Sequence, residues 1–454
     1  VRRGPKEAVG APPAASPPLP AAKMQAPIQP GSTPRGRDQR RFLAYTAEGF
    51  VSSMREREFC NVEVVFHDQS RRSSRVPTLT DYFGFELGAL GPKGTALACP
   101  QRGADNPSVL MYRPFESWAA GSDWTLSLPA GEEARAVAAG DSFVACATSK
   151  QLLRVFTLAG NAICVQCLPG PIAALVASGG QLTAAFHSGE PMRTEGGVQQ
   201  RVAFRSWDVA LEAAGEQGPL ALSPGSELEW AGYSEEGALC TCDTAGCVRK
   251  LYKGFGGGWV PVFDSAQARK AQTEHHYVVG VSQTELCCII TKTAKDFPQV
   301  LPRPILTTFP LRVPVAVADA NSQPLQEKFL SKKLLHSQAQ LSGGDPAFLM
   351  PLEREMDGTL LKLIQASIKS DHLERALELC GRLSLHRSLR GALQLANVMR
   401  KRQLAERITL LIQNREALAS AEMTGASQAD LLPSQLKAAG YTQTPEPASG
   451  NPFK

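Results

Sequence analysis

From about Phe42 to about Leu311 the apolar positions come in short runs separated by turn residues, which is the spacing of β-strands. Val62-Glu63-Val64-Val65-Phe66, Trp124-Thr125-Leu126-Ser127-Leu128, Leu152-Leu153-Arg154-Val155-Phe156 and Tyr277-Val278-Val279-Gly280-Val281 are examples. Between such runs stand hairpin breakers, among them Ala159-Gly160-Asn161, Ser178-Gly179-Gly180 and Ala245-Gly246. A unit of strand, Gly-containing turn and strand recurs at 142–157, 172–187, 228–251 and 276–291, and no helical period interrupts it. At roughly 40–50 residues per blade, this stretch of about 270 residues predicts a six-bladed β-propeller. Two β-sandwiches in tandem are the competing arrangement.

After Pro314 the period changes. Asp345-Pro346 is an N-cap followed by proline at the first helical position. Phe348, Leu349, Leu352, Met356, Leu360, Leu363, Ile364 and Ile368 then recur at three and four, which is one helix face. Asp371 with Glu374 reads as a capping box opening the next helix. Further stripes are Leu389, Leu393, Ala396 and Leu404, Ile408, Leu411; with a helix at about 324–340 they predict a bundle of about five helices. The fold class is therefore mainly β with an α-helical C-terminal part. The expected division is a disordered linker at 1–35, the propeller at 36–318, the bundle at 319–420 and a disordered tail at 421–454. The linker assignment rests on Pro12-Pro13, Pro17-Pro18 and Pro30 among few large apolar side chains.

Composition changes this picture little. The chain has 454 residues, 43% apolar and 20% charged, with a net charge of +5, too weak on this length to force a nucleic-acid reading. No apolar run is long enough to span a bilayer as a helix. Several of the eleven cysteines sit inside strand-like text, the habit of small buried hydrophobes in a reducing compartment, so an intracellular protein is expected. The chain begins with Val1 and reads as a part of something longer.

Candidate chemistry is sparse. Cys164-Val165-Gln166-Cys167 has a metal or redox spacing, but no second pair follows it and its setting is a strand. Cys240 and Cys242 are alternate residues of one strand, so they share a face and read as core. His275-His276 opens a strand without a thiol or acidic partner nearby. Gly254-Phe255-Gly256-Gly257-Gly258 leads into a strand, whereas phosphate cradling requires a helix start. No catalytic residues, metal or cofactor are expected. Basic groups occur at Arg35, Arg37, Arg40 and Arg41, at Arg71-Arg72 and Arg75, and at Arg400, Lys401 and Arg402. They read first as solvated surface; a nucleic-acid-binding module using Arg35 to Arg41 and Arg400 to Arg402 is the alternative function. The small residues Ala392 and Ala396, beside Leu389, Leu393, Leu404, Ile408 and Leu411, are either mutual core or a face a partner helix could approach closely.

Several segments together resemble one family. They are the linker text Pro18-Leu19-Pro20 through Pro27-Ile28-Gln29, Val62 to Asp68, Leu168-Pro169-Gly170-Pro171, Ala231 to Gly237 and Leu301-Pro302-Arg303-Pro304. In order and spacing they resemble the replisome adaptors called acidic nucleoplasmic DNA-binding proteins, WD-repeat and HMG-box proteins whose fungal counterpart is the chromosome transmission fidelity adaptor. The resemblance runs over most of residues 18–420. It implies a six-bladed propeller carrying a helical bundle, assembled as a homotrimer in the nucleus. Such an adaptor is non-enzymatic. It links the replicative CMG helicase, through GINS and Cdc45, to DNA polymerase alpha and other clients, which present short helical peptides to the bundle. The family's N-terminal WD-repeat propeller and HMG box have no counterpart here, so DNA binding attributed to the HMG box is not carried over.

Overall fold

The computed structural model describes residues 22–423, apart from 35–38, 69, 71–75, 104, 117–120, 255–256, 293–296, 317–321 and 342. The expectations for residues 1–21, for Arg35, Arg37, Arg71, Arg72 and Arg75, and for the tail after Met423 lie outside the described residues.

Six antiparallel sheets form a six-bladed β-propeller. The first blade is β1 (Arg40–Tyr45), β2 (Gly49–Arg55), β3 (Cys60–Phe66) and β4 (Leu79–Asp81). The second is β5 (Leu87–Leu90), β6 (Gly94–Cys99), β7 (Val109–Pro114) and β8 (Trp124–Ser127). The third is β9 (Ala134–Ala139), β10 (Phe143–Thr148), β11 (Leu152–Thr157) and β12 (Ala162–Cys167). In the fourth, β13 (Ile172–Ser178) and β14 (Gln181–His187) are followed by an inserted hairpin, β15 (Met192–Thr194) and β16 (Gly197–Gln199), before β17 (Val202–Asp208) and β18 (Ala213–Pro219) complete the sheet. The fifth is β19 (Leu228–Tyr233), β20 (Leu239–Asp243), β21 (Cys247–Tyr252) and β22 (Gly258–Asp264), followed by the single turn α1 (Ser265–Ala268). The sixth has three strands, β23 (His275–Val281), β24 (Glu285–Thr291) and β25 (Leu306–Pro310). Each recurring strand-turn-strand unit in the sequence falls on paired strands: β10 with β11, β13 with β14, β19 with β20 and β21, and β23 with β24.

The chain divides into two compact units: residues 1–232, 242–245 and 297–304 form one, and residues 233–241, 246–296 and 305–454 form the other. In the first, Ala136, Ala138, Phe143, Ala145 and Leu153 of the third blade pack on Ile172, Leu175, Leu182 and Ala184 of the fourth. Small residues on inner strands let neighbouring blades approach near the axis, where wedge-shaped sheets are closest. Burial falls outward: β10 is buried throughout, while β12 at the rim is largely exposed.

Residues 22–34, which composition assigns to a disordered linker, are instead held against these inner strands. The first strands of the first four blades contact one another in sequence, so they line the axis, and their inward edges keep unpaired backbone groups. Gln29 reaches Val137 of β9, its amide donating to the carbonyl at 2.9 Å and its Oε1 accepting from the N–H at 3.0 Å. Gln25 does the same at Leu228 of β19, at 3.1 and 2.8 Å. A bulge between Ile172 and Ala174 leaves Ala173 without a cross-strand partner, and its carbonyl accepts the Ile28 N–H at 2.8 Å. Thr33 closes the strap on Phe42 of β1. Gly31 has φ +72, and any side chain there would collide with the backbone of Tyr45.

The second unit carries α2 (Gln323–Leu341), α3 (Pro346–Lys369), α4 (Leu373–Gly381), α5 (His386–Val398) and α6 (Arg402–Met423). Of the face its period predicts, α3 buries Leu352, Met356, Leu360, Leu363, Ile364 and Ile368, while in its first turn Phe348 is 43% exposed and Leu349 half-buried; Asp345 caps it by accepting from Ala347 N–H at 2.9 Å. The capping box expected at Asp371 does not form. Asp371 sits at φ +59 in the tight α3–α4 link, His372 takes the N-cap position, and the Asp371 carboxylate instead accepts from Lys401 at 2.6 Å.

Candidate partner-binding surface of the helical bundle

At the α4–α5 corner the Arg382 N–H turns back to the carbonyls of Leu379 and Cys380, and other groups are met from other helices. At the N-cap of α5 stands Leu385, whose side chain can accept nothing. Asp357 of α3, 1% exposed, supplies the carboxylate: Ser384 N–H and Leu385 N–H donate to its two oxygens at 2.8 and 2.9 Å. On the other side the Arg415 guanidinium of α6 donates to the carbonyls of Leu383 at 2.6 Å and Gly381 at 2.7 Å. Helices α3 and α6 thus clamp the corner that carries α5. The sequence signal was faint: Asp357 stands beside Met356 and one turn from Leu360, a polar residue on an apolar face.

With α5 fixed, the stripes resolve. Leu389, Ala392 and Ala396 of α5 and Leu404 and Ile408 of α6 lie in the bundle core, none more than 2% exposed, with Phe329, Leu360, Ile364 and Cys380 around them. Leu393 and Leu411 are half-buried at its margin. Val398 and Leu410 are 80% and 58% exposed, and the sequence pattern did not single them out. Elsewhere on these two helices, His386 and Arg390 of α5 reach Glu416 of α6 at 3.1 and 3.5 Å. Exposed apolar side chains on helices are what the apolar face of an amphipathic helix contacts.

The basic residues lie on separate elements. Arg40 is exposed at the start of β1, and Arg41 is half-buried and donates to the Glu86 carbonyl. Arg400 is exposed in the α5–α6 turn and Arg402 at the start of α6, with Lys401 between them engaged by Asp371. Cys240 and Cys242 are buried in β20, and burial pushes the Cys240 thiol up to about 12. His276 is buried against Phe263 and Phe309, its Nδ1 2.7 Å from Ser265 Oγ. Cys164 and Cys167 lie on rim strand β12 with free thiols.

Two family matches cover the chain, one over the propeller and one over the bundle. Residues 26–315 match the family described as minichromosome loss protein, Mcl1, middle region, and residues 322–417 match the C-terminal domain of DNA polymerase alpha-binding protein Ctf4. Among relatives, the chain is 35% identical over 404 residues to Protein ENHANCER OF LHP1 1 of Arabidopsis thaliana, covering 87% of this chain and 42% of the relative. It is 29% identical to WD repeat and HMG-box DNA-binding protein 1 of Mus musculus, covering 87% and 35%. It is 24% identical to the DNA polymerase alpha-binding protein of Saccharomyces cerevisiae, covering 82% and 46%. The chain thus spans half or less of the length of each of these relatives. With the first match running from the strap to the end of the sixth blade and the second spanning the bundle, the chain belongs to the Mcl1 and Ctf4 family of WD-repeat and HMG-box proteins.

Proposed function

We propose that the chain is a non-enzymatic DNA replication adaptor that binds DNA polymerase alpha in the nucleus, at chromatin. The observation that carries this reading is the match of the helical bundle, residues 322–417, to the C-terminal domain of a polymerase alpha-binding protein. In the fuller form the chain is a homotrimer that joins the CMG helicase, through GINS and Cdc45, to the polymerase and to other clients. Clients present short helical peptides, which lie along α5 and α6. Leu393 and Leu411 at the core margin and the exposed Val398 and Leu410 supply the apolar contact, while the sealed Leu389, Ala392, Ala396, Leu404 and Ile408 hold the two helices in place. A rigid propeller joined to a bundle fits this role, because a scaffold must keep several partners at fixed spacing.

Purified chain and DNA polymerase alpha are expected to elute together in size-exclusion chromatography at micromolar concentration, and light scattering of the chain alone is expected to give three times its mass. Separate elution at that concentration would remove the polymerase reading, and a monomer mass would remove the trimer. Val398→Glu and Leu410→Glu are expected to weaken peptide capture while the helical circular dichroism stays unchanged. Undiminished capture in both would move the contact elsewhere.

A further inference from the structure

Among the described residues five of the six blades are four-stranded, while the sixth stops at its third strand, β25. The phase of the ladder fixes what β25 offers on its outer side. Leu311 N–H donates to the Thr284 carbonyl at 2.8 Å, and Phe309 and Thr307 stand opposite Leu286 and Cys288. In an antiparallel pair every second residue faces its partner, so the backbone groups of Thr307 and Phe309 turn toward β24. Those of Leu306 and Thr308 turn outward, and among the described residues nothing bonds to them. Arg312, in the same phase, already uses that outward direction: its N–H donates to the Val262 carbonyl of β22 at 2.7 Å. The stretch from Leu306 to Thr308 is an open sheet edge.

Sheet edges are ordinarily blunted by charge, proline, shortness or a bulge. The other outer strands carry such devices. Strand β4 has three residues and ends in Asp81, β8 has four, β18 holds Glu216 and Pro219, β22 holds Pro261 in its middle, and a bulge interrupts the pairing of β12 with β11. From Ile305 to Phe309 there is neither charge nor proline, and β25 pairs with β24 without a bulge; Pro310 then ends the usable edge. One register step beyond the pair Ile289–Leu306, Ile305 stands opposite Ile290, and the two are 82% and 40% exposed. Unpaired N–H and C=O groups in a row select an extended backbone, and exposed isoleucines select an apolar neighbour on that face. The segments of this chain outside the described ends suit neither demand, being broken by Pro12-Pro13, Pro17-Pro18 and Pro20 on one side and Pro433, Pro445 and Pro447 on the other.

We propose that the outer edge of β25 receives an extended segment of a partner protein, which supplies the fourth strand of the sixth blade. The segment runs antiparallel to β25, as neighbouring strands do throughout the blades, pairs with the backbone of Leu306 and Thr308, and sets a β-branched side chain beside Ile305. Pro310 has no N–H to give, so the added ladder is short and the contact weak and exchangeable. A strand edge reads alternate side chains, whereas a helix is read at every third and fourth. The β25 edge and the α5–α6 surface therefore take different partner segments, and the β25 site stands whether or not polymerase alpha is the client.

The test uses the full chain, the peptide acetyl-Lys-Thr-Val-Thr-Val-Thr-Lys amide as the probe, and amide hydrogen exchange read by mass spectrometry. Saturable protection of the Leu306 and Thr308 amides is expected, with a Kd roughly in the millimolar range for so short a strand. The same peptide methylated on alternate backbone nitrogens keeps its side chains but cannot complete a ladder, and it should give no protection. Thr308→Pro removes an outward N–H while leaving the bonds to β24, and it should abolish binding. Ile305→Lys places a charge at an exposed position and should weaken binding about three- to tenfold. No protection at millimolar peptide, equal protection by the methylated peptide, or binding that survives Thr308→Pro would overturn the proposal. So would protection that appears without peptide and rises with protein concentration, because the occupant would then be a second copy of the chain. If circular dichroism shows that Thr308→Pro has unfolded, Ile305→Lys and the methylated peptide decide, and undiminished binding in either case overturns the proposal.

Discussion

The inner-strand edges beneath residues 22–34 and the α4–α5 corner both present backbone groups that no ladder or helix can reach, and both are closed by side chains distant in sequence. At the strap, two neutral amides each meet one N–H and one C=O of an inner strand. At the corner the work is divided by charge: the Asp357 carboxylate takes the two N–H groups and the Arg415 guanidinium takes the two carbonyls. The difference follows from geometry. A strand edge offers donor and acceptor side by side, which an amide matches, whereas a helix start offers donors alone and a helix end acceptors alone, which anions and cations match. It teaches that the corner is the more fragile of the two, because each of its bonds is charge-assisted and its loss removes more than the loss of a neutral one.

The largest expected effect is therefore at Asp357. Asp357→Ala should destabilise the bundle by about 3 kcal/mol, the loss of two charge-assisted bonds to part-buried N–H groups. Urea unfolding followed by helical circular dichroism measures it, and a loss below about 1 kcal/mol would make the corner self-sufficient. Gln29→Ala comes next, at about 2 kcal/mol, because two neutral bonds are lost and Val137 keeps an unmet donor and acceptor. Thermal unfolding read by tryptophan fluorescence would show it, and limited proteolysis should cut within 22–34 in the variant. A strap that merely fills space would leave both readouts unchanged.

The two regions were unequally legible. In the bundle the period of three and four named the buried face of α3 because a helix repeats its environment every turn. The same logic could not separate core from contact surface on α5 and α6: burial against a neighbouring helix and burial against a visiting one select the same residues. The blades showed through as hairpins at 142–157, 172–187 and 276–291, since period-two alternation and turn residues are local. The strap was hidden. Gln25 and Gln29 are polar residues in proline-rich text, and what orders them is a row of backbone groups contributed by strands more than a hundred residues away. Asp371 misled for the opposite reason: the local box was present, but a left-handed backbone conformation at that residue turned its carboxylate toward Lys401.

The smallest effect sharpens the comparison from the strap's side and concerns pH. His187, 3% exposed, places Nε2 3.2 Å from the Gln25 carbonyl, while its buried Nδ1 has no partner among the described residues. Burial lowers its pKa below the ordinary imidazole value of 6.5, an effect that the bond to Gln25 and the charges of Glu227 and Glu190 oppose. The unfolded chain therefore takes up the proton before the folded one does. Stability from this group is fully present above pH 6.5 and is lost as pH falls from there through the depressed folded value, with a slope of at most about 1.4 kcal/mol per pH unit. A glutamine at this position can still donate to the Gln25 carbonyl and does not titrate. His187→Gln should accordingly flatten the decline in propeller stability between neutral and mildly acidic pH while changing stability little at neutral pH. An identical pH profile in the variant would mean that the titration responsible lies away from the strap, at His67 or His276, whose burial lowers their pKa values in the same direction.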